Sequence, residues 1–237
     1  LTMRSWPPGQ EAWMDTSSTP EEARLLQERL ASSVILTSLS HPPTRIAGAD
    51  AAYSKDGATV FAAVAVLEPG SWRVVERAWA SCPVPYPYIP GLLAFREGPS
   101  LTQALSRLSA PPDLVFFNGH GILHPRGLGL ASHLGLLLGL AAIGCAQGPP
   151  ARCCGKTSAL PEERGSCQWV SLQGRSPQGA LLRTRRGCKP LFVSPGHLIT
   201  LEEALSWTLA ASVRYRMPEP LRQAHILARR LRKDCER

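Results

Sequence analysis

No stretch of this chain is apolar for long enough to cross a bilayer; the most apolar run, Leu134 to Gly144, is short and broken by glycines. The segment Leu1 to Thr19 has no apolar core and carries Pro7, Pro8, Glu11 and Asp15, so a secretory signal is not expected there. The seven cysteines lack the CxxC spacing of a zinc site, which argues against metal at Cys153, Cys154, Cys167 and Cys188. An odd count at irregular spacing reads instead as reduced thiols in a cytoplasmic protein. No internal repeat is present. Acidic residues are also in deficit, 18 against 26 Lys and Arg for a net charge of +8, which favours a polyanionic partner such as nucleic acid. What remains is ordinary for a folded protein: 44% apolar and 19% charged residues exclude wholesale disorder, and 237 residues suffice for one substantial domain. Residues 1–18 read as a flexible tail and residues 19–237 as a single domain.

The pattern along the chain is mixed α/β. Thr19-Pro20-Glu21-Glu22 has the form of a capping box, with Ala23, Leu26 and Leu30 on one face of the helix that follows. Three β-rich runs come next, Ile46 to Ser54, Thr59 to Leu67 and Trp72 to Cys82, separated by the turn formers Asp56-Gly57 and Pro69-Gly70. Turns that short imply an antiparallel meander. After a proline-rich loop, Pro83 to Gly91, helical spacing appears over Phe95 to Leu108. A fully apolar strand, Leu114 to Phe117, then a helix, Ala131 to Leu138, and a strand, Ala142 to Ala146, follow. Gln147 to Ser166 reads as a surface loop. Gln168 to Leu172, Ala180 to Arg183 and Leu191 to Ser194 read as strands. A second capping box, Thr200 to Glu203, opens a helix to about Val213, and Pro218-Glu219-Pro220 opens the last one. Three antiparallel strands followed by β/α alternation is the order of a ribonuclease H-like fold.

Four polar residues stand out against this scaffold. Asp50 lies inside the first strand among Ala47, Gly48, Ala49, Ala51 and Ala52, where a buried carboxylate needs a cation; facing solvent at the strand end, it needs none. Glu97 stands near a helix start, where a carboxylate also favours the helix dipole. Asn118 follows the buried strand 114–117, at the carboxyl end where ligands gather in α/β sheets. His197 follows the strand that begins at Leu191; a lone histidine there is equally compatible with a structural role. Together, carboxylates from strand and helix can hold a magnesium ion through oxygen ligands, and such an ion activates water against a phosphodiester.

The stretches PYIPGLLAFRE (87–97), NGHGILHPRGLGLASHLG (118–135), IGCA (143–146), PLFVSPGH (190–197) and RMPEPLRQA (216–224) resemble those of endonuclease V, in family order, and the resemblance runs from about Thr19 to Ala228. It implies a ribonuclease H-like fold and a Mg2+-dependent endonuclease, with Mn2+ as a substitute. It implies recognition of hypoxanthine (inosine) in DNA or RNA, and cleavage at the second phosphodiester bond on its 3′ side, in DNA repair. By the same resemblance Asp50 and Glu97 are metal-binding acids, His197 is the catalytic histidine and His124 lies near the phosphates. The resemblance also makes Pro87, Tyr88, Ile89 and Pro90 a strand-separating wedge, an aromatic ring being able to stack in place of a displaced base. Leu93, Gly119 and Leu130 match, by that resemblance, positions that line the pocket for the flipped base, and Arg96, Arg126, Arg152 and Lys156 are candidate phosphate contacts.

The chain departs from the family pattern in the places that matter to a metal. Asn118 stands where the family has aspartate; an amide keeps the shape, loses the charge and binds a hard cation more weakly. Gln147 stands where the family has lysine, with Arg152 or Lys156 as possible substitutes in the adjoining loop. Leu198 replaces an arginine, and His225 stands where an aspartate is usual. Two readings follow: a monomeric, metal-dependent endonuclease with Asn118 as a third, weak ligand, or a homologue that binds inosine-containing nucleic acid and cuts it inefficiently.

Overall fold

A computed structural model of the chain describes residues 18–150, 160–172 and 176–236. The expected flexible tail thus falls outside the described residues except for Ser18, and so do Arg152, Lys156, Cys153 and Cys154.

Among the described residues, eight strands form one mixed sheet. They are β1 (Ile46–Tyr53), β2 (Thr59–Glu68), β3 (Arg73–Pro83), β4 (Leu114–Phe117), β5 (Ala142–Ala146), β6 (Cys167–Val170), β7 (Gly179–Leu182) and β8 (Leu191–His197), in the spatial order β3-β2-β1-β4-β5-β8-β7-β6. The meander β1-β2-β3 is antiparallel, as its short turns require. β4 and β5 run parallel to β1, and β8 returns antiparallel to β5. This is the ribonuclease H-like arrangement expected from the sequence.

The helices among the described residues cover the two faces: α1 (Pro20–Ala31), α2 (Leu93–Leu105), α3 (Leu130–Leu138), α4 (Leu201–Ala211) and α5 (Glu219–Cys235). Alternation along the strands decides which residue meets which layer. Ala47, Ala49, Val115 and Phe117 pack with Ala23 of α1, Leu101 of α2 and Leu134 of α3. Ile46, Leu114, Phe116 and Cys145, of the opposite parity, pack with Ala204 of α4 and Leu221 of α5. Both Phe116 and Phe117 are fully buried, which is why this strand is apolar without alternation. At Gly48 the backbone of α5 comes so close that a Cβ would lie 2.1 Å from the carbonyl carbon of Pro220. Only glycine admits that approach, and it seats the start of α5 on β1.

Both capping boxes form: Thr19 with Glu22 at α1 and Thr200 with Glu203 at α4, each side chain bonding the other residue's backbone N–H. No helix among the described residues is long and apolar enough to cross a membrane.

Candidate active site at the sheet tip

The parallel register sets Ala49 beside Phe117, so the next residues, Asp50 within β1 and Asn118 just past the end of β4, are neighbours where the parallel pairing stops. They share the parity of Gly48 and Phe116, and both face α5. The Asn118 amide Nδ2 donates to Asp50 Oδ1 at 2.9 Å. Across from it His225, on α5, brings Nδ1 to 2.7 Å from Asp50 Oδ2. The buried Asp50 carboxylate therefore has a hydrogen-bond partner on each oxygen. The hydrogen bond to Asp50 raises the His225 pKa above its ordinary value, against the opposing pull of partial burial and of Arg229.

Glu97 reaches the same place from α2. Burial, and then the negative charge of Asp50, push its carboxyl up to about 8, while the hydroxyl of Tyr53 and the charge of Arg96 pull the other way. Tyr53 donates to Glu97 Oε1 at 2.9 Å, and the Arg96 guanidinium lies 4.6 Å from the centroid of the Tyr53 ring. Burial and the nearby Asp50 charge thus favour the protonated form of Glu97. Among the described residues no three His, Cys, Asp or Glu side chains form a metal-holding group; the third position at this tip is the amide of Asn118.

His197 does not join them. β8 continues past Ser194 through Pro195 and Gly196, so His197 is its last residue and pairs with Ala142, the first residue of β5. Because β8 is antiparallel to β5, that is the opposite end of the sheet from Asn118. There His197 is buried and its Nδ1 accepts the backbone N–H of Ile35 at 3.2 Å. It ties the segment after α1 to the sheet. His225, 175 residues from Asp50 in sequence and nearly two turns into α5, supplies the imidazole at the tip.

Immediately beyond Asn118 a cavity of about 360 Å³ opens on the α1–α3 face, within the size range of small-molecule sites. Leu93, Gly119 and Leu130 all line it, with Tyr88, Ile89 and Pro90 at its rim and His120, His124, Pro149 and Pro150 in its wall. The two tyrosines of the proline-rich loop have opposite fates. Tyr86 is buried against Phe95, with ring centroids 5.6 Å apart, whereas Tyr88 is 70% exposed. One carbonyl of the loop takes three of the bonds that pin it. Gly91 O accepts from Gln27 Nε2 at 3.0 Å, His124 Nε2 at 3.1 Å and Arg126 Nη2 at 2.9 Å. Gly91 itself has φ +83°, a conformation that glycine adopts freely.

These bonds fix the state of His124. Its Nδ1 accepts from the Arg126 N–H at 3.3 Å, so the proton sits on Nε2. Burial, then the charge of Arg126, hold its pKa down at about 3. His124 is a neutral brace for the loop. Arg126 and Arg96 are engaged similarly: Arg126 Nε donates to Gln27 Oε1 at 2.7 Å, and Arg96 Nη1 to Tyr86 O at 2.8 Å. Both are candidate phosphate contacts from the sequence, and in the structure their guanidinium groups buttress the loop that carries Tyr88. At the end of β5, Gln147 is joined by a cation from outside its own loop. Arg216 Nη1 donates to Gln147 Oε1 at 3.3 Å.

A family-level match to Endonuclease V spans residues 28–226. Endonuclease V of Streptomyces avermitilis is 44% identical over 220 residues, 92% of this chain and 94% of that protein. Its crystal structure superimposes with a TM-score of 0.85 at 42% identity, covering 93% of this chain and 96% of that one. Endonuclease V of Ciona intestinalis, in complex with a 24mer DNA containing an inosine followed by a ribo-adenosine, gives a TM-score of 0.81 at 26% identity, over 91% of this chain and 98% of that one.

Proposed function

The chain belongs to the endonuclease V family of phosphodiester-cleaving enzymes, and from that premise we propose that it acts on inosine in nucleic acid and cuts the strand at the second phosphodiester bond on the 3′ side. The observation that carries this reading is the adjacency of two sites. A cavity bounded by Leu93, Gly119 and Leu130 begins at the residue after Asn118, whose amide bonds Asp50. A base turned out into the cavity leaves its own downstream phosphates at the sheet tip. Tyr88, exposed at the cavity rim, fills the gap in the stack and offsets part of the few kcal/mol that unstacking costs. DNA is the first partner, RNA the second, and the protein acts as a cytoplasmic monomer.

Magnesium, or manganese in its place, is the cofactor of this reading, and the residues fit it. Asp50, the high-pKa carboxyl of Glu97 and the amide oxygen of Asn118 are hard oxygen donors that would hold such an ion. Bound there, the ion supplies an activated water and charge neutralisation at the leaving oxygen. The protein's own groups do the positioning. Tyr53 fixes Glu97, Asn118 orients Asp50, and His225 places an imidazole of raised pKa beside Asp50. Asp50 meets a donor on both oxygens, and the third ligand is neutral, so the site holds its cation weakly. The same arrangement supports the second reading, in which strand binding outlasts efficient cleavage.

The test is binding in EDTA, which leaves the strand intact. An inosine-containing strand binds more tightly than its adenine counterpart, and Tyr88→Ala reduces that preference without lowering Tm, since the ring is 70% exposed. An unchanged preference in Tyr88→Ala removes the wedge from the account.

A further inference from the structure

The cavity lies on one face of the sheet, whereas the tip beside it is reached from that face by Glu97 and from the other by His225. The cavity is walled by Gln27 of α1, Leu93 of α2 and Leu130 of α3, whereas His225 meets Asp50 from α5 on the other side. A strand with its base in the cavity and its cut on the 3′ side therefore crosses the tip toward α5 and the loop before it.

What waits there is an exposed aromatic ring in a cationic setting. Tyr215 is 47% exposed. The Arg222 guanidinium lies 4.2 Å from its ring centroid, and Arg222 is held by two bonds to Glu219, at 2.8 and 2.6 Å. Arg222 stands three residues before His225 and shares its side of the helix. On either side of Tyr215 are Arg214, which is exposed, and Arg216, whose guanidinium donates to Gln147 and to the Pro190 carbonyl, at 3.3 and 2.9 Å. Three arginines against one glutamate leave the segment cationic. A ring braced by a guanidinium, flanked by further arginines, offers a π-face to any base and charge to the phosphates on either side.

We infer that Tyr215 is a stacking platform for an unpaired base beyond the cut, with Arg216 and Arg214 engaging the adjoining phosphates. This rests on the reading of the cavity as the lesion pocket, which sets the direction of the strand. The platform explains why Arg222 is ion-paired yet kept against an exposed ring: Glu219 fixes the guanidinium so that the ring is oriented before the strand arrives.

Fluorescence anisotropy in EDTA, with single strands that end at the cut or extend several nucleotides past it, tests the inference. The parent protein binds the extended strand more tightly, and Tyr215→Ala loses about tenfold on that strand, the worth of one stacked base, and nothing on the short one. Tyr215→Phe keeps the parent's behaviour. Equal losses on both strands, or none on either, overturn the inference. Because length dependence is read with inosine and with adenine alike, absence of inosine preference in the parent counts against the lesion pocket and leaves the platform to be judged by Tyr215→Ala alone.

Discussion

Asn118→Asp is the substitution whose consequence the geometry fixes most closely. The amide nitrogen that donates to Asp50 at 2.9 Å becomes a carboxylate oxygen. At that separation and an effective dielectric of about 20, two carboxylate charges repel by roughly 6 kcal/mol. Uptake of a proton by one of them limits the cost: lifting a carboxyl pKa from about 4 to neutrality corresponds to about 4 kcal/mol. The nearby His225 imidazole, hydrogen-bonded to Asp50, reduces it further. For a domain of this size such a loss is a fall in Tm of roughly 10 °C. A divalent cation reverses it, a ligand at a hundred times its Kd returning about 2.7 kcal/mol. Thermal melts of parent and variant in EDTA, Mg2+ and Mn2+ read this directly. The variant melts lower in EDTA and recovers with either metal, while the parent shifts by only a few degrees. An Asn118→Asp protein with the parent's Tm in EDTA, and no greater response to metal, refutes the reasoning that Asn118 stands in for a charged ligand.

His197→Ala is expected to lower Tm through loss of the tether to Ile35, with cleavage per folded molecule retained; unchanged Tm with abolished cleavage contradicts its placement far from the tip. His133 is buried against Phe95 and its pKa is held down at about 4 by burial. Since the unfolded state takes up that proton below about 6.5, the stability His133 contributes is complete above that pH and falls by about 2 kcal/mol at pH 5. Glu97, with its pKa pushed up to about 8, acts in the opposite sense, so the readout is the difference between parent and His133→Leu. Urea midpoints of the variant fall less between pH 7 and 5 than the parent's, and parallel curves contradict the buried neutral state.

Much of this site is legible in the letters because local rules govern it. Asp50 and Asn118 end up side by side because each follows the last paired residue of two parallel strands whose apolar runs set the register. The capping boxes at Thr19 and Thr200 are chemistry within a few residues. His197 is different. Pro195 and Gly196 look like a strand end, yet the strand runs through them, with an irregularity opposite Ala142/Ile143 absorbing the misfit. Whether a strand's end lies at the tip depends on its direction, and nothing within 191–197 declares β8 antiparallel. His225 was visible only as a departure from a family pattern. Its pairing with Asp50 follows from the way Gly48 lets α5 settle on β1, a contact between distant segments. Arg96 and Arg126 carry the charge of phosphate ligands, but loop carbonyls with unmet hydrogen-bonding needs reach them first.

The central claim, that a base held in the cavity places its downstream phosphate at Asp50, is tested most directly by mapping cuts at nucleotide resolution on end-labelled strands. The strands carry inosine or adenine at one position and are incubated with excess protein and Mn2+. The account predicts slow cleavage at a single position, the second phosphodiester 3′ of inosine, accelerated by Asn118→Asp and lost in Asp50→Ala. Cuts at the adenine strand with equal rate, cuts displaced from that bond, or no cleavage even in Asn118→Asp would contradict it.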